Sequence, residues 1–160
     1  MRNGARIINM ALTGSNPSEE ERVGLADISA SGVLIVAAAG NYGRTDKNRT
    51  YYPAGYESTL SVSAVGATYV VSRFSNANAM VDICAPGENI LSTFPDGAYY
   101  ILSGTTPATA HVVGVAALLW SWKPTATVDE IKAALLNSAL DLGPPGRDDS
   151  YGHGLSLIHI

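Results

Sequence analysis

The chain has 160 residues, 46% of them hydrophobic, enough for one domain or part of one with a buried core. Its formal net charge of −4 argues against nucleic acid or an anionic membrane surface as a partner. The 16 glycines and 8 prolines point to many tight connections without reaching disorder, no apolar run has membrane-spanning length, and the single cysteine rules out an internal disulfide.

Met1 to Gly4 carry no signal-peptide pattern and lead directly into the strand-like run Ile7-Ile-Asn-Met-Ala-Leu12, closed by Thr13-Gly14. A buried parallel strand needs neighbours, so further chain upstream is expected. Ser18-Glu-Glu-Glu21 predicts a capping box, with a helix running to about Ser31 and Gly32 as its left-handed stop. Val33-Leu-Ile-Val-Ala-Ala-Ala39 is the longest apolar run and predicts a second buried strand. Strand, helix and strand with short joins form a right-handed parallel crossover, and such sheets bind ligands beyond the carboxyl ends of their strands. Those ends are Leu12-Thr13-Gly14 and Ala39-Gly40-Asn41.

Residues 41 to 52 read as a polar loop whose Asn48-Arg-Thr50 sequon matters only in a eukaryotic secretory route. Leu60 to Val65 and Val81 to Cys84 are predicted strands, and Cys84 in its apolar segment is expected to be a buried, inert thiol. Asn89 to Thr93 and Tyr99 to Leu102 flank Pro95-Asp-Gly97 as a hairpin. Next comes a Val-, Ala- and Leu-rich segment ending at Lys123-Pro124, expected to be a helix buried on all sides. Thr106 is its predicted N-cap and Pro107 its first helical residue. Thr127-Val-Asp-Glu130 predicts a second capping box, opening a helix with Val128, Ile131 and Leu135 on one face.

Gly104-Thr-Thr-Pro-Ala-Thr-Ala-His-Val-Val-Gly114 resembles the nucleophile motif of subtilisin-like serine peptidases, G-T-S-M-A-[ST]-P-H-V-[AS]-G. Gly104, Thr105, Ala108, Thr109, His111, Val112 and Gly114 agree, while Thr106 stands for the nucleophilic serine, Pro107 for methionine and Ala110 for proline. Asn9-Met-Ala-Leu-Thr-Gly14 is similar to the family's N-M-S-L-G-G, and Ala38-Ala-Gly-Asn41 matches its oxyanion segment. Tyr52-Pro53, Phe74-Ser75, Ala85-Pro-Gly87, Ser92-Thr93 and Tyr151-Gly-His-Gly154 fall in family order.

The resemblance implies a three-layer, doubly wound α/β fold with a mostly parallel sheet, here incomplete. Residues 1–154 would be the C-terminal part of the peptidase domain. Residues 155–160, Leu-Ser-Leu-Ile-His-Ile, read either as a short edge strand or as translated transposon-end sequence; the second, a non-native tail, is favoured. The resemblance further implies Thr106 at the nucleophile position, Asn41 as oxyanion-hole donor, and substrate contacts from Leu12, Thr13, Gly14, Ala38, Ala39 and Gly40. The family's catalytic aspartate and histidine lie upstream of residue 1, so the partners are a polypeptide substrate and the missing N-terminal half, with no nucleic acid and no membrane.

His111 matches a non-catalytic motif histidine and is expected to be structural. A secreted location and a cis Tyr52–Pro53 bond also follow from the resemblance. No cofactor is expected beyond a weak cation site near Ala54, Tyr56, Thr59 and Asp82, where Met80 stands in place of a second carboxylate. The alternative is a catalytically inactive relative acting as a binding or scaffold domain, motivated by Thr106, Pro107, Ala110 and the bulk of Thr13. An unrelated nucleotide-binding domain ranks lower because both phosphate-loop glycine patterns are absent.

Overall fold

A computed structural model describes residues 4–157. Strands β1 (Ile7–Met10), β2 (Leu34–Ala38), β3 (Leu60–Val65) and β4 (Ile83–Pro86) form one sheet in the order β1-β2-β3-β4. Every neighbouring pair is parallel, with Ile7 opposite Leu34, Val36 opposite Leu60 and Val62 opposite Ile83. Helix α1 (Glu19–Ala30) joins β1 to β2, while α2 (Thr105–Trp122) and α3 (Val128–Asn137) follow the last strands. A separate antiparallel hairpin, β5 (Ile90–Thr93) and β6 (Tyr99–Leu102), turns through Pro95–Gly97 and leads into α2.

The all-apolar strands have a direct cause. Leu34 and Val36 of β2 face the same core as Leu60, Val62, Ile83, Val112 and Leu119, whereas Ile35 faces Leu25 and Tyr56. A strand covered on both faces has no room for a polar alternation. The chain is therefore three layers, with α1 on one side of the sheet and α2 and α3 on the other, as expected for an incomplete doubly wound domain.

Several local expectations need correction. The box at Ser18 closes only halfway: Ser18 Oγ accepts the Glu21 N–H at 3.3 Å, but the Glu21 carboxylate accepts from Tyr56 Oη at 2.9 Å. Tyr56 Oη in turn accepts the Ser18 N–H, so a tyrosine from the next loop replaces the local carboxylate. The box at Thr127 is complete. Helix α2 begins one residue before its predicted cap, placing Thr106 inside the helix and Gly104 at the N-cap. Thr106 is helical although Pro107 follows it, and the N–H that Pro107 lacks is one the first turn leaves unpaired in any case.

Nor is α2 buried all round. Thr106, Ala110, Gly114, Leu118 and Trp122, four residues apart, form an exposed stripe, with Trp122 at 81% exposure. The lack of charge correctly marked a helix with two apolar faces, but only one of them is covered by this chain.

Cys84 is buried, and burial pushes its thiol up to about 12. Leu155 packs with Val65 and Cys84 and pairs its backbone with Leu140. The expectation of a non-native tail over 155–160 falls in part on 158–160, outside the described residues.

Candidate active site

β1 and β2 pair in parallel as far as Met10 opposite Ala37, and Leu12, Thr13 and Gly14 continue from the carboxyl end of one as Ala38, Ala39 and Gly40 close the other. Leu12 is exposed and Thr13 half-buried, whereas Ala38, Ala39 and Gly40 are buried. Gly14 pairs with Tyr52 through two backbone hydrogen bonds of 2.7 and 2.9 Å. This pairing carries Tyr51 towards Gly40, where the buried Tyr51 ring stacks on Tyr42 with centroids 4.5 Å apart. The Tyr52–Pro53 bond within this turn is cis.

Gly40 is at φ 118°, a region L side chains rarely adopt, and a Cβ there would lie 2.6 Å from Asn76 Oδ1. That close approach allows Asn76 to bracket Asn41. The Asn76 N–H donates to Gly40 O at 3.0 Å, and its Oδ1 accepts the Tyr42 N–H at 2.9 Å. Its Nδ2 donates to the carbonyls of Asp46, Lys47 and Arg49 at 2.7, 3.1 and 3.3 Å. A fully buried amide thus holds the residues on both sides of Asn41 and the loop beyond.

Asn41 itself is exposed, and its Oδ1 meets the start of α2. It accepts the Thr105 N–H at 2.8 Å and the Thr105 Oγ1–H at 2.9 Å. Thr105 Oγ1 also accepts the Gly40 N–H at 3.3 Å, so this buried hydroxyl ties the helix to the end of β2. With Oδ1 engaged twice, the Asn41 Nδ2 protons have no partner among the described residues. At the helix start, the Gly104 N–H goes to Gly87 O and the Thr105 N–H to Asn41. Pro107 has no N–H. Among the described residues the Thr106 N–H has no partner, and the Thr106 side chain beside it is exposed. Free amides at the positive end of an 18-residue helix favour negative charge.

His111 stands apart from this arrangement. Its Nδ1 lies 2.9 Å from Pro107 O, one turn back on the same helix, so the ring donates to its own backbone. Its structural expectation fits that contact. His153 is exposed in the C-terminal turn, its N–H donating to Asp82 O.

The cation candidates have local partners. The carbonyls of Pro53, Ala54 and Tyr56 lie 3.0, 3.3 and 2.8 Å from Thr59 Oγ1. Asp82 accepts the Ser61 N–H at 2.7 Å, and burial raises its carboxyl above the usual value. A cavity of about 1090 Å³ lies between α1 and α3, lined by Arg6, Gly32, Tyr56 and Val128, well away from Asn41.

Two residues of this site were not singled out from the sequence. Thr105 lay within the matched motif, next to the nucleophile position, which was the available signal. Asn76 follows Phe74-Ser75, but nothing in its one-dimensional neighbourhood distinguishes a buried loop-organising amide from a turn residue.

Comparison with known proteins agrees with the architecture. Residues 1–154 match the model of the subtilase family. The chain is 37% identical to subtilisin DY of Bacillus licheniformis, covering 99% of this chain and 56% of that protein. It is 38% identical to subtilisin E of Bacillus subtilis over 99% of this chain and 40% of that protein. A thermostable alkaline protease of Halalkalibacterium halodurans is 39% identical over 96% and 41% of the two chains. The solved structure of a psychrophilic subtilisin-like protease from an Antarctic Pseudoalteromonas shares the fold, with a TM-score of 0.89 at 21% identity. That match covers 98% of this chain and 69% of the other.

Proposed function

From the premise that the chain belongs to the subtilase family, we propose that it supplies the oxyanion donors and the nucleophile position of a serine-type endopeptidase. The observation that carries the reading is the junction of Asn41 with α2. Asn41 Oδ1 is held by Thr105, which leaves Asn41 Nδ2 and the Thr106 N–H as two free donors next to one exposed hydroxyl. Two donors fixed beside a nucleophile stabilise the oxyanion of an acyl-transfer intermediate.

In the proposed step, Thr106 Oγ1 attacks the scissile carbonyl and forms a C–O bond while the carbonyl electron pair moves onto oxygen. The hydroxyl proton passes to a base, which then protonates the leaving amine as the C–N bond breaks. Water subsequently releases the acyl group by the same path. Such proton transfer requires the base within hydrogen-bond reach of the nucleophile and a third group to orient it. His111 is engaged with Pro107 O, and the family resemblance assigns the base and its orienting aspartate to an upstream half of the domain.

That half also fits the exposed stripe Thr106, Ala110, Gly114, Leu118 and Trp122 and the open edge of β1. Leu12, Thr13, Gly14, Ala38, Ala39 and Gly40 would line the path of a polypeptide substrate, with the stacked Tyr51 and Tyr42 beyond Gly40 narrowing it. No cofactor enters the proposal; a weakly held cation near Ala54, Tyr56, Thr59 and Asp82 would be structural. An extracellular location belongs to the same reading.

A second reading, an inactive binding or scaffold domain, is favoured by Thr106 itself, whose β-methyl crowds the nucleophile position and restricts χ1. The test joins this chain to its upstream segment and compares Thr106 with Thr106→Ser on an activated ester and a chromogenic peptide. Turnover with Thr106 in place, with none from the 160-residue chain, supports the peptidase. Turnover only after Thr106→Ser supports the inactive relative. An upstream segment without D-[ST]-G and H-G-T-H motifs, and no turnover in either form, rejects both catalytic histories.

A further inference from the structure

Beside the loop that follows Asn41 lies an open cavity of about 530 Å³ whose walls include Gly43, Arg44, Lys47, Ser72 and Arg73. Arg44 and Lys47 come from the 41–50 loop, and Ser72 and Arg73 from the turn leading to Asn76. Backbone bonds pin the two segments together: the Gly43 N–H donates to Phe74 O at 2.7 Å and the Ala77 N–H to Lys47 O at 2.9 Å. The cationic walls therefore sit on fixed backbone.

None of the ion pairs among the described residues uses Arg44, Lys47 or Arg73. The one acid between Arg44 and Lys47 in sequence, Asp46, pairs instead with Arg49 at 3.5 Å. Three uncompensated cations around one concavity are unexpected in a chain of net charge −4, and low-dielectric walls focus their field. Ser72 lines the same cavity. Ser72 is only 3% exposed, and its Oγ is buried with no hydrogen-bond partner. Buried hydroxyls are almost always paired, so an unpaired one lining a cationic cavity marks a place for an acceptor.

We propose that this cavity binds an oxyanion, with Arg44, Lys47 and Arg73 supplying charge and Ser72 Oγ–H a directed hydrogen bond. Carboxylate and phosphate share the required chemistry, since both offer paired oxygens to an arginine fork. The site lies on the loop that begins at Asn41. In the peptidase reading above, on which only this identification of the source rests, the oxyanion is the carboxylate of an acidic residue in the polypeptide substrate.

The test is calorimetric titration of the 160-residue protein at low ionic strength with inorganic phosphate and, separately, with a blocked tetraglutamate peptide and its glutamine counterpart. Expected is saturable binding of phosphate and of the glutamate peptide in mutual competition, with the glutamine peptide silent. Arg73→Gln and Lys47→Gln should each weaken binding roughly tenfold, Ser72→Ala should weaken phosphate without changing charge, and added salt should weaken both probes. Arg73→Lys, which keeps the charge but not the fork, should weaken binding less than Arg73→Gln and so separates a lost site from a lost fold. Phosphate binding alone identifies a free oxyanion as the source, and peptide binding alone the substrate carboxylate; either supports the site. Binding of neither probe overturns it, as does binding undiminished in Arg44→Gln/Arg73→Gln or equally diminished by the remote Lys132→Gln. An inactive assembled peptidase with this binding intact would defeat the catalytic reading and leave the oxyanion site standing.

Discussion

Helix α3 closes its own N-terminus within four residues, Thr127 to Glu130, whereas α2 receives its cap from Asn41, 64 residues earlier in the chain. In α3, Thr127 Oγ1 accepts the Glu130 N–H at 3.2 Å and the Glu130 carboxylate accepts the Thr127 N–H at 2.8 Å. Both donors are satisfied from within the same four residues. In α2, Gly104 has no side chain to give, and the Asn41 carbonyl oxygen satisfies Thr105 alone. The Thr106 N–H and the Asn41 Nδ2 stay open. One helix start is built for stability, and the other keeps its polarity available.

Breaking the distant cap should produce the largest effect. In the assembled peptidase carrying Thr106→Ser, Asn41→Ala removes an oxyanion donor, and turnover should fall by roughly 10²–10³ with little change in KM. A raised KM with unchanged turnover would place Asn41 in binding alone.

Asn76 supports the distant cap from behind. Asn76→Ala strands the Tyr42 N–H, while the Asp46, Lys47 and Arg49 carbonyls keep the Arg49 N–H, the Ala77 N–H and Asn78 Nδ2 as donors. The penalty of about 1–3 kcal/mol for that one group should read as a lower denaturation midpoint in urea at unchanged slope. A change below about 0.5 kcal/mol would show that the 41–50 loop holds its shape without Asn76.

The local cap should respond less. Thr127→Ala should lower stability by about 1 kcal/mol, measured the same way, and should leave turnover of the assembled enzyme unchanged. A loss of turnover would mean that α3 is coupled to the site.

The smallest effect concerns pH. Hydrogen bonding from Lys123, joined by the Thr127 N–H, holds the Glu130 carboxyl below its ordinary 4.5. A lowered folded-state pKa contributes stability that is present above 4.5 and is lost as pH falls through the folded value. Glu130→Gln should therefore flatten the acid side of the stability curve slightly and leave the neutral side shifted by a constant. Because the carboxylate is exposed, solvent screening keeps the change small. Identical acid limbs in the two proteins would contradict the assignment.

The sequence alone determined those features set by neighbours along the chain. The all-apolar run 33–39 had to be a strand covered on both faces, Gly32 had to end α1, and Thr127 with Glu130 had to cap α3, since each depends on contacts a few residues apart. The motifs around Asn41 and Thr106 also identified the family, because ordered short matches carry information without coordinates. Only the tertiary structure showed where α2 begins, since its first amide is claimed by Asn41 and not by Thr106. Only the fold showed that Glu21 turns to Tyr56, that α2 keeps one face open, and that Asn76 braces Gly40 and Tyr42. Those outcomes depend on which distant donor or apolar surface reaches a given atom first, and a sequence read in order does not contain that distance.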